Sequence, residues 1–515
     1  MAHDDNSSTL KRPLEPPTGV LRAPVVPALT ILWHPDIERV GEVALLQDNR
    51  VEDLARDTPT FFVPGSNVGQ PIADRLMNRD PVLHFVWAQG RLDVRPGSAD
   101  ITADEVRIDG KPFDRARQLD LEELRRGIIV TVARAFVFCL HSIRCPVTRS
   151  SSLGLVGSSD AVEDIRCAIT RAAGRATTVL IRGESGTGKE LVARALHESG
   201  PRPNGPFVVE NASRLQGERA DDMLFGYERG AFTGATDSQP GLFRAAHNGT
   251  LFIDELGDLP RKTQPILLRV VQDGVVQPLS SVRSRKVDVF VVAATNADLE
   301  AAVTAGTFDE ALYHRFNTAI NITVPPLRER REDVGLLLVH FLRIYLDADL
   351  QHLQDQTPDS PWLAARDVAA LAMHSWRDNV RGVEGIAKKL AIDAGPGAHQ
   401  NAHEVIKEFL AKAAKLPPPD GRPSAASSIP ASRDLLLSAL ERSDWNCARA
   451  AELLGISPAT FSRRLREDPE LHKVTRLRIA DLIRAEREAK GDVEIAAKRL
   501  GVPPDLLARR LRRRR

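Results

Sequence analysis

The chain has 515 residues, 42% of them hydrophobic and 27% charged, with a formal net charge of +1. That length calls for about three or four domains, and that balance excludes fibrous and wholly disordered classes. Four cysteines (Cys139, Cys145, Cys167, Cys447) lack metal spacing and a disulfide framework, and neither a leader nor a run of about 18 apolar residues occurs, so no membrane partner is expected and a reducing cytoplasm fits.

Residues 1–27 hold Pro13, Pro16, Pro17, Pro24 and Pro27 among few apolar residues, the composition of a disordered lead-in. Residues 28–145 carry short apolar runs at 29–33, 82–87, 106–110 and 128–132, separated by turn signals. This spacing predicts a β-sandwich. Over 150–396 apolar strands alternate with helical segments, predicting a parallel α/β domain whose last part, about 331–396, is a helical lid. A linker rich in Pro, Ala and Ser is expected over 411–432. Beyond it, Ala450-Ala451-Glu452-Leu453-Leu454-Gly455 reappears 46 residues later as Ala496-Ala497-Lys498-Arg499-Leu500-Gly501. Residues 433–468 and 475–515 therefore read as two copies of one helical unit, the second ending in an arginine-rich tail suited to nucleic acid or to a solvated end.

Within the α/β region, Val179-Leu180-Ile181-Arg182 runs into Gly183-Glu184-Ser185-Gly186-Thr187-Gly188-Lys189-Glu190 and then into a helical segment. Strand, glycine-rich loop and helix form the context of a phosphate cradle: backbone N–H groups converge on phosphate, the helix N-terminus adds partial positive charge, and Lys189 neutralises the β/γ oxygens. ATP is the implied ligand. Glu190 stands where Ser or Thr usually helps hold magnesium. A second strand, Gly249-Thr250-Leu251-Phe252-Ile253, ends in Asp254 and Glu255. Asp254 is the candidate Mg2+ ligand and Glu255 the group that polarises attacking water. A third strand ends at Thr295-Asn296, which puts Asn296 where it can sense a γ-phosphate. Taken singly, the alternatives are a glycine-rich turn for the loop, solvated turn residues for the two acids and an ordinary turn for Asn296; it is their order that favours a nucleotide site.

The segment Gly230-Ala231-Phe232-Thr233-Gly234-Ala235 is built for a mobile tip, since two glycines bracket an aromatic that offers apolar contact to a partner. A buried turn with a core Phe is the alternative. With Leu224-Phe225-Gly226-Tyr227-Glu228-Arg229 before it, Ala293-Ala294-Thr295-Asn296, Pro325-Pro326-Leu327-Arg328-Glu329-Arg330 and Trp376-Arg377-Asp378-Asn379-Val380-Arg381, residues 153–394 resemble the AAA+ domain of the sigma-54-dependent transcriptional activators, the bacterial enhancer-binding proteins. The resemblance implies that residues 230–235 engage sigma-54, that Asn211 holds Glu255 in a nucleotide-dependent switch, that Arg381 reaches phosphate from the lid, and that Arg315 is an arginine finger acting in a neighbouring subunit of a hexamer. A surface ion pair is the alternative for both arginines. Departures from the family pattern are Asp309 where a second Arg follows Phe308, Arg377-Asp378 for Pro-Gly, and Gly382-Val383 for Glu-Leu. An acid at 309 opposes an incoming γ-phosphate.

At the C-terminal end, residues 446–465 resemble a helix-turn-helix of the Fis type. Ala450 and Ala451 permit close helix crossing, Gly455 the turn, and Ser457-Pro458 the start of the next helix, with Thr460, Ser462, Arg463 and Arg464 as candidate contacts to double-stranded DNA. Helix packing alone is the alternative, and the second copy is open between DNA binding and dimer packing. The sandwich resembles a forkhead-associated domain, with Asn78-Arg79-Asp80-Pro81 for Ser-x-x-His and Asp109-Gly110 for Asn-Gly; Arg39 and Arg79 are its candidate contacts to a phosphothreonine protein, against a purely structural sandwich. The whole reads as an ATP-hydrolysing activator that remodels sigma-54 RNA polymerase from upstream DNA. A DNA-binding regulator with an idle nucleotide domain, or an AAA+ remodeller of another protein, remain the alternatives.

Overall fold

The computed structural model describes residues 24–66, 68–99, 105–145, 151–174, 178–215, 219–231, 236–278, 283–318, 320–346, 362–392 and 401–415, with separate positions between 436 and 507. It divides into two units, residues 1–413 and 414–515.

The first unit begins with two antiparallel sheets, one of eight strands and one of four. In the larger, β1 (Val25–Trp33) lies against a long strand, Phe136–Arg144, which also pairs with the strand Ile128–Val132. The smaller is centred on β2 (Leu83–Ala88) and β3 (Arg91–Pro96). In chain order after them come β4 (Ile128–Val132) and β5 (Phe136–Arg144). In β2 the burial alternates strictly, Leu83, Phe85 and Trp87 inward, as a strand with one covered face requires. Leu29, Ile31, Phe85, Val94, Val130 and Phe138 close one core between the sheets. The sandwich begins at Val25, inside the stretch read as lead-in, because Val25 and Val26 pair with Arg144 and Ile143.

The other faces of β1, β4 and β5 are also apolar. Leu32, Ile37, Val40, Ile129 and Val137 enter a second core with residues from far along the chain. Every residue of β4 is buried, which explains why it is apolar on both faces apart from Thr131, where a half-exposed strand would alternate.

Next comes the parallel sheet, in the order β7 (Phe207–Asn211), β8 (Gly249–Asp254), β9 (Val289–Thr295), β6 (Thr178–Arg182), β10 (Ile320–Thr323). Helices α1 (Asp160–Ala172) and α2 (Lys189–Glu198) pack on one face, α3 (Gln264–Asp273) and α4 (Glu310–Asn317) on the other. The lid consists of α5 (Val334–Tyr345), α6 (Ala365–Ala372), α7 (Asn379–Ile392) and α8 (Asn401–Lys415). Helix α8 lies beyond the expected lid and covers the start of the expected linker: Ala402 and Ile406 are buried in the lid core, and Phe409 stands 5.8 Å from the Trp376 ring.

Lid and α/β domain are pinned at Asp333. This wholly buried carboxylate accepts from Ser158 N (2.7 Å), Ser159 N (2.9 Å) and Ser159 Oγ (2.7 Å), while Ser159 caps α1. Beside it, burial and the charge of Asp333 push Glu332 up to about 8, although the residue as a whole keeps some solvent contact.

In the second unit Leu437, Leu440, Trp445, Ala450, Leu465, Ala496, Ala497 and Leu507 share one apolar core. Both copies of the repeat thus contribute to a common interior, and the second includes α9 (Val493–Leu500). Thr460, Ser462, Arg463 and Arg464 lie outside the described residues. No helix among the described residues is long and apolar enough to cross a membrane.

Replacing Asp333 with Ala leaves the buried Ser159 N–H and hydroxyl and the half-buried Ser158 N–H without their acceptor, so Asp333→Ala should lower stability by about 2–4 kcal/mol, read by chemical denaturation of the full chain.

Candidate nucleotide site

The expected strand, loop and helix are β6, residues 183–188 and α2. Gly186 (φ 74°) and Gly188 (φ 101°) take left-handed conformations that turn the chain tightly, and a Cβ on Gly186 would stand 2.2 Å from the Asp378 carbonyl. The loop opens on a cleft of about 580 Å³ whose far end is apolar, lined by Leu155, Val156, Ile165, Leu337 and Phe341. Buried Lys189 places its ammonium 3.0 Å from Gly183 O and 3.3 Å from Glu184 O. Those carbonyls are weak substitutes for an anion, so the ammonium can transfer to phosphate when it arrives. Glu190 is exposed, 3.9 Å from Arg194. The Thr187 hydroxyl donates to Glu184 O (2.8 Å).

Asp254 ends β8 and its carboxylate accepts from Glu255 N at 3.0 Å. Glu255 sits in the left-handed region (φ 52°), which swings its side chain away from the strand direction and toward the loop. Its carboxylate lies 3.8 Å from Lys189 Nζ and accepts from Asn296 N and Asn296 Nδ2, both at 3.2 Å. Partial burial holds the Glu255 carboxyl above its ordinary value, against the pull of Lys189 and of the Asn296 N–H. Asn211 was expected to hold Glu255. Its register on β7 does bring it beside Asp254, but its side-chain oxygen accepts from Ser213 N (2.9 Å) and Ser213 Oγ (2.6 Å), capping the following turn. Asn296 holds Glu255 instead.

The lid grips the loop from the other side. Asn379, wholly buried with φ 51°, accepts from Leu327 N (2.8 Å) and donates to Ser185 O (3.0 Å), while Val380 N donates to Gly186 O (2.9 Å). Arg381 lines the cleft, its guanidinium 3.5 Å from Ser185 Oγ. Arg328 forms a two-pronged pair with Glu184 at 2.6 and 2.7 Å. The sequence reading assigned no role to Arg328 or Asn379, although both lie in segments it singled out; the available signal was an Asn in a turn that requires φ > 0.

Arg315, on α4, is not among the residues of the cleft; its guanidinium donates to Val271 O at 3.2 Å. Asp309 caps α4 through Leu312 N (3.0 Å) and lies 3.3 Å from Arg261, so the acid expected to oppose phosphate is committed to a helix start and balanced by a cation. Of residues 230–235, Gly230 (φ 83°) and Ala231 are described, and Phe232, Thr233, Gly234 and Ala235 lie outside the described residues. The stem is defined: Gly226 and Tyr227 pair antiparallel with Pro240 and Gln239. In the sandwich, Arg39 is buried, bonded to Glu42 Oε2 at 2.7 and 3.0 Å and to Ile72 O at 2.6 Å. That guanidinium is spent inside the fold, which counts against its expected contact with a phosphate ligand. Arg79 is exposed.

Fold and cleft together define a P-loop nucleotide-binding protein of the AAA+ kind, with the sheet order, phosphate loop and helical lid of that class. Residues 155–322 match the Sigma-54 interaction domain, and residues 431–467 match the Bacterial regulatory protein, Fis family. The chain is 38% identical over 343 residues to the DNA-binding transcriptional regulator NtrC of Azospirillum brasilense, covering 61% of this chain and 69% of that protein. It is 38% identical over 351 residues to the transcriptional regulatory protein ZraR of Klebsiella oxytoca, covering 68% and 76%. Among solved structures, NtrX from Brucella abortus in complex with ADP is 30% identical with a TM-score of 0.43, covering 62% and 69%. This chain belongs to the sigma-54-dependent transcriptional regulators.

Asn379→Ala leaves Leu327 N without its buried acceptor and Ser185 O without its donor, and should cost about 1–3 kcal/mol, measured by urea unfolding.

Proposed function

We propose that the protein is an ATP-hydrolysing activator that assembles into a ring, binds DNA upstream of a promoter and remodels RNA polymerase carrying sigma-54. The observation that carries this reading is Glu255 poised beside Lys189 at the mouth of the phosphate loop, in a chain that also carries a Sigma-54 interaction domain and a Fis-type region. The adenine base enters the apolar end of the cleft, and the phosphates meet the loop N–H groups and the start of α2. Lys189 leaves its two carbonyls for the β/γ oxygens. Asp254 and the loop suit a Mg2+ ion, which neutralises phosphate charge when bound. Glu255 orients and polarises the attacking water, and its hydrogen bonds to Asn296 hold it back until phosphate draws that amide away. Arg381 reaches the phosphates from the lid. Arg315 trades Val271 O for the nucleotide of a neighbouring subunit, which makes turnover depend on a hexamer. Residues 230–235, carried on the paired stem at 226–227 and 239–240, contact sigma-54 and move with hydrolysis.

Thr460, Ser462, Arg463 and Arg464 contact DNA in this reading. The sandwich keeps its likeness to a forkhead-associated domain, but the internal pairing of Arg39 favours a structural or regulatory role over phosphothreonine recognition. The idle-domain alternative loses its main support because Asp309 is paired with Arg261.

Lys189→Ala should lower ATP turnover by about a hundredfold or more, measured with the purified full chain; unchanged turnover rules out this site. Because the Glu255 carboxyl titrates above the ordinary 4.5, and the base must be ionised, turnover should fall with acid at a pH higher than 4.5, and Glu255→Gln should remove that limb with the activity. Thr233→Ala should keep ATP turnover and lose sigma-54-dependent transcription in a reconstituted assay; full transcription would show that another segment contacts the polymerase.

A further inference from the structure

The sandwich is attached to both sides of the nucleotide cleft. On the α/β side, Arg144 at the end of β5 reaches α1: its guanidinium lies 3.2 Å from Asp160 Oδ2 and 2.8 Å from Asp164 Oδ1 and donates to Asp160 O at 2.8 Å, while Arg144 N donates to Asp160 Oδ2 at 3.0 Å. On the lid side the attachment is apolar and close. Gly335, in the first turn of α5, presses on β1 so tightly that a Cβ there would stand 2.3 Å from Leu32 O. Gly41, held at φ 92°, leaves room for Leu336, and a Cβ on it would meet that side chain at 2.5 Å. Arg331 donates to Gly127 O at 3.1 Å and Arg343 to Glu38 at 2.5 Å. Leu32, Ile37, Val40, Ile129 and Val137 share one core with Leu337, Leu338, Val368 and Trp376 of the lid.

The cleft lies between these two attachments, lined by Val162 and Ile165 of α1 on one side and by Leu337, His340 and Phe341 of α5 on the other. The α/β domain and lid already meet at Asp333 with Ser158 and Ser159, which is where a rotation of one against the other would pivot. We propose that the sandwich is a brace across this hinge: by holding α1 through Arg144 and α5 through the Gly335 and Gly41 contacts, it fixes the aperture of the cleft and slows nucleotide release. A domain joined to only one side would ride along with it. One joined to both must break an attachment before the cleft can open, so whatever undocks the sandwich accelerates exchange.

A brace works only while both ends are attached, and this gives the test its form. The proposal rests on the nucleotide reading above. Release of a fluorescent ADP analogue from the full-length protein is followed by stopped flow for wild type, Arg144→Ala, Gly335→Ala and the double variant, with hydrogen exchange of residues 160–172 and 334–345 measured without nucleotide. Gly385→Ala, a helix substitution on α7 with open space around its Cβ position, is the control. Each single variant should speed release by about threefold or more, and the double variant should be no faster than the faster single, because the second cut removes nothing that the first left intact. Exchange of both helices should rise in the same non-additive way. Release at the wild-type rate, or rates that multiply in the double variant, would overturn the brace. A wild type that fails to bind the analogue would sink the nucleotide reading instead, and the exchange pattern would still decide for or against the brace.

Discussion

A loop that must offer its N–H groups to phosphate cannot use them in its own secondary structure, and in this chain the geometry of that loop is imposed largely from outside. Asn379 ties Ser185 to Leu327, Val380 N takes Gly186 O, and Arg328 locks Glu184. The donors and acceptors come from the lid and from the segment leading to it. The loop and the lid are therefore joined by hydrogen bonds at the loop itself, where a shift of an ångström changes how its N–H groups converge.

The lid does not float free of the rest. It is pinned to the α/β domain at the buried carboxylate of Asp333 as well as at the loop, and its outer side is covered by the sandwich. Glycines make that covering possible: Gly41, Gly127 and Gly335 let main chain and side chains of the two partners approach within a distance that a Cβ would obstruct. The apolar runs of β1, β4 and β5 consequently serve two interiors, one between the sheets and one against the lid. A sandwich that faced water on that side would carry polar residues there.

Several side chains take partners close to them in the chain. Asp309 caps α4 and faces Arg261, so its charge has a partner within the same subunit. Asn211 stands at the expected register beside Asp254, yet a side-chain oxygen two residues from a free N–H closes its own turn, and Ser213 wins it. Arg39 illustrates the same competition: a guanidinium near an acid and two carbonyls is satisfied inside the fold.

The amino-acid sequence by itself determined the strand-loop-helix of residues 178–198, the acids at the end of β8 and the sandwich of short strands, because each depends on neighbours along the chain: glycine spacing, apolar period, turn residues. Helix α8 is not legible in the sequence, because its residues run straight into a proline-rich stretch and it is burial of Ala402 and Ile406 in the lid core that fixes it. Tertiary structure alone decided which side chain holds Glu255, what Arg39 and Asp309 are bonded to, and that Arg328 and Asn379 fasten the loop. Those outcomes turn on competition between near partners, such as Glu42 for Arg39 and Leu312 N for Asp309, and partners brought in from tens to hundreds of residues away, and a linear sequence states which groups are present without stating which of them meet.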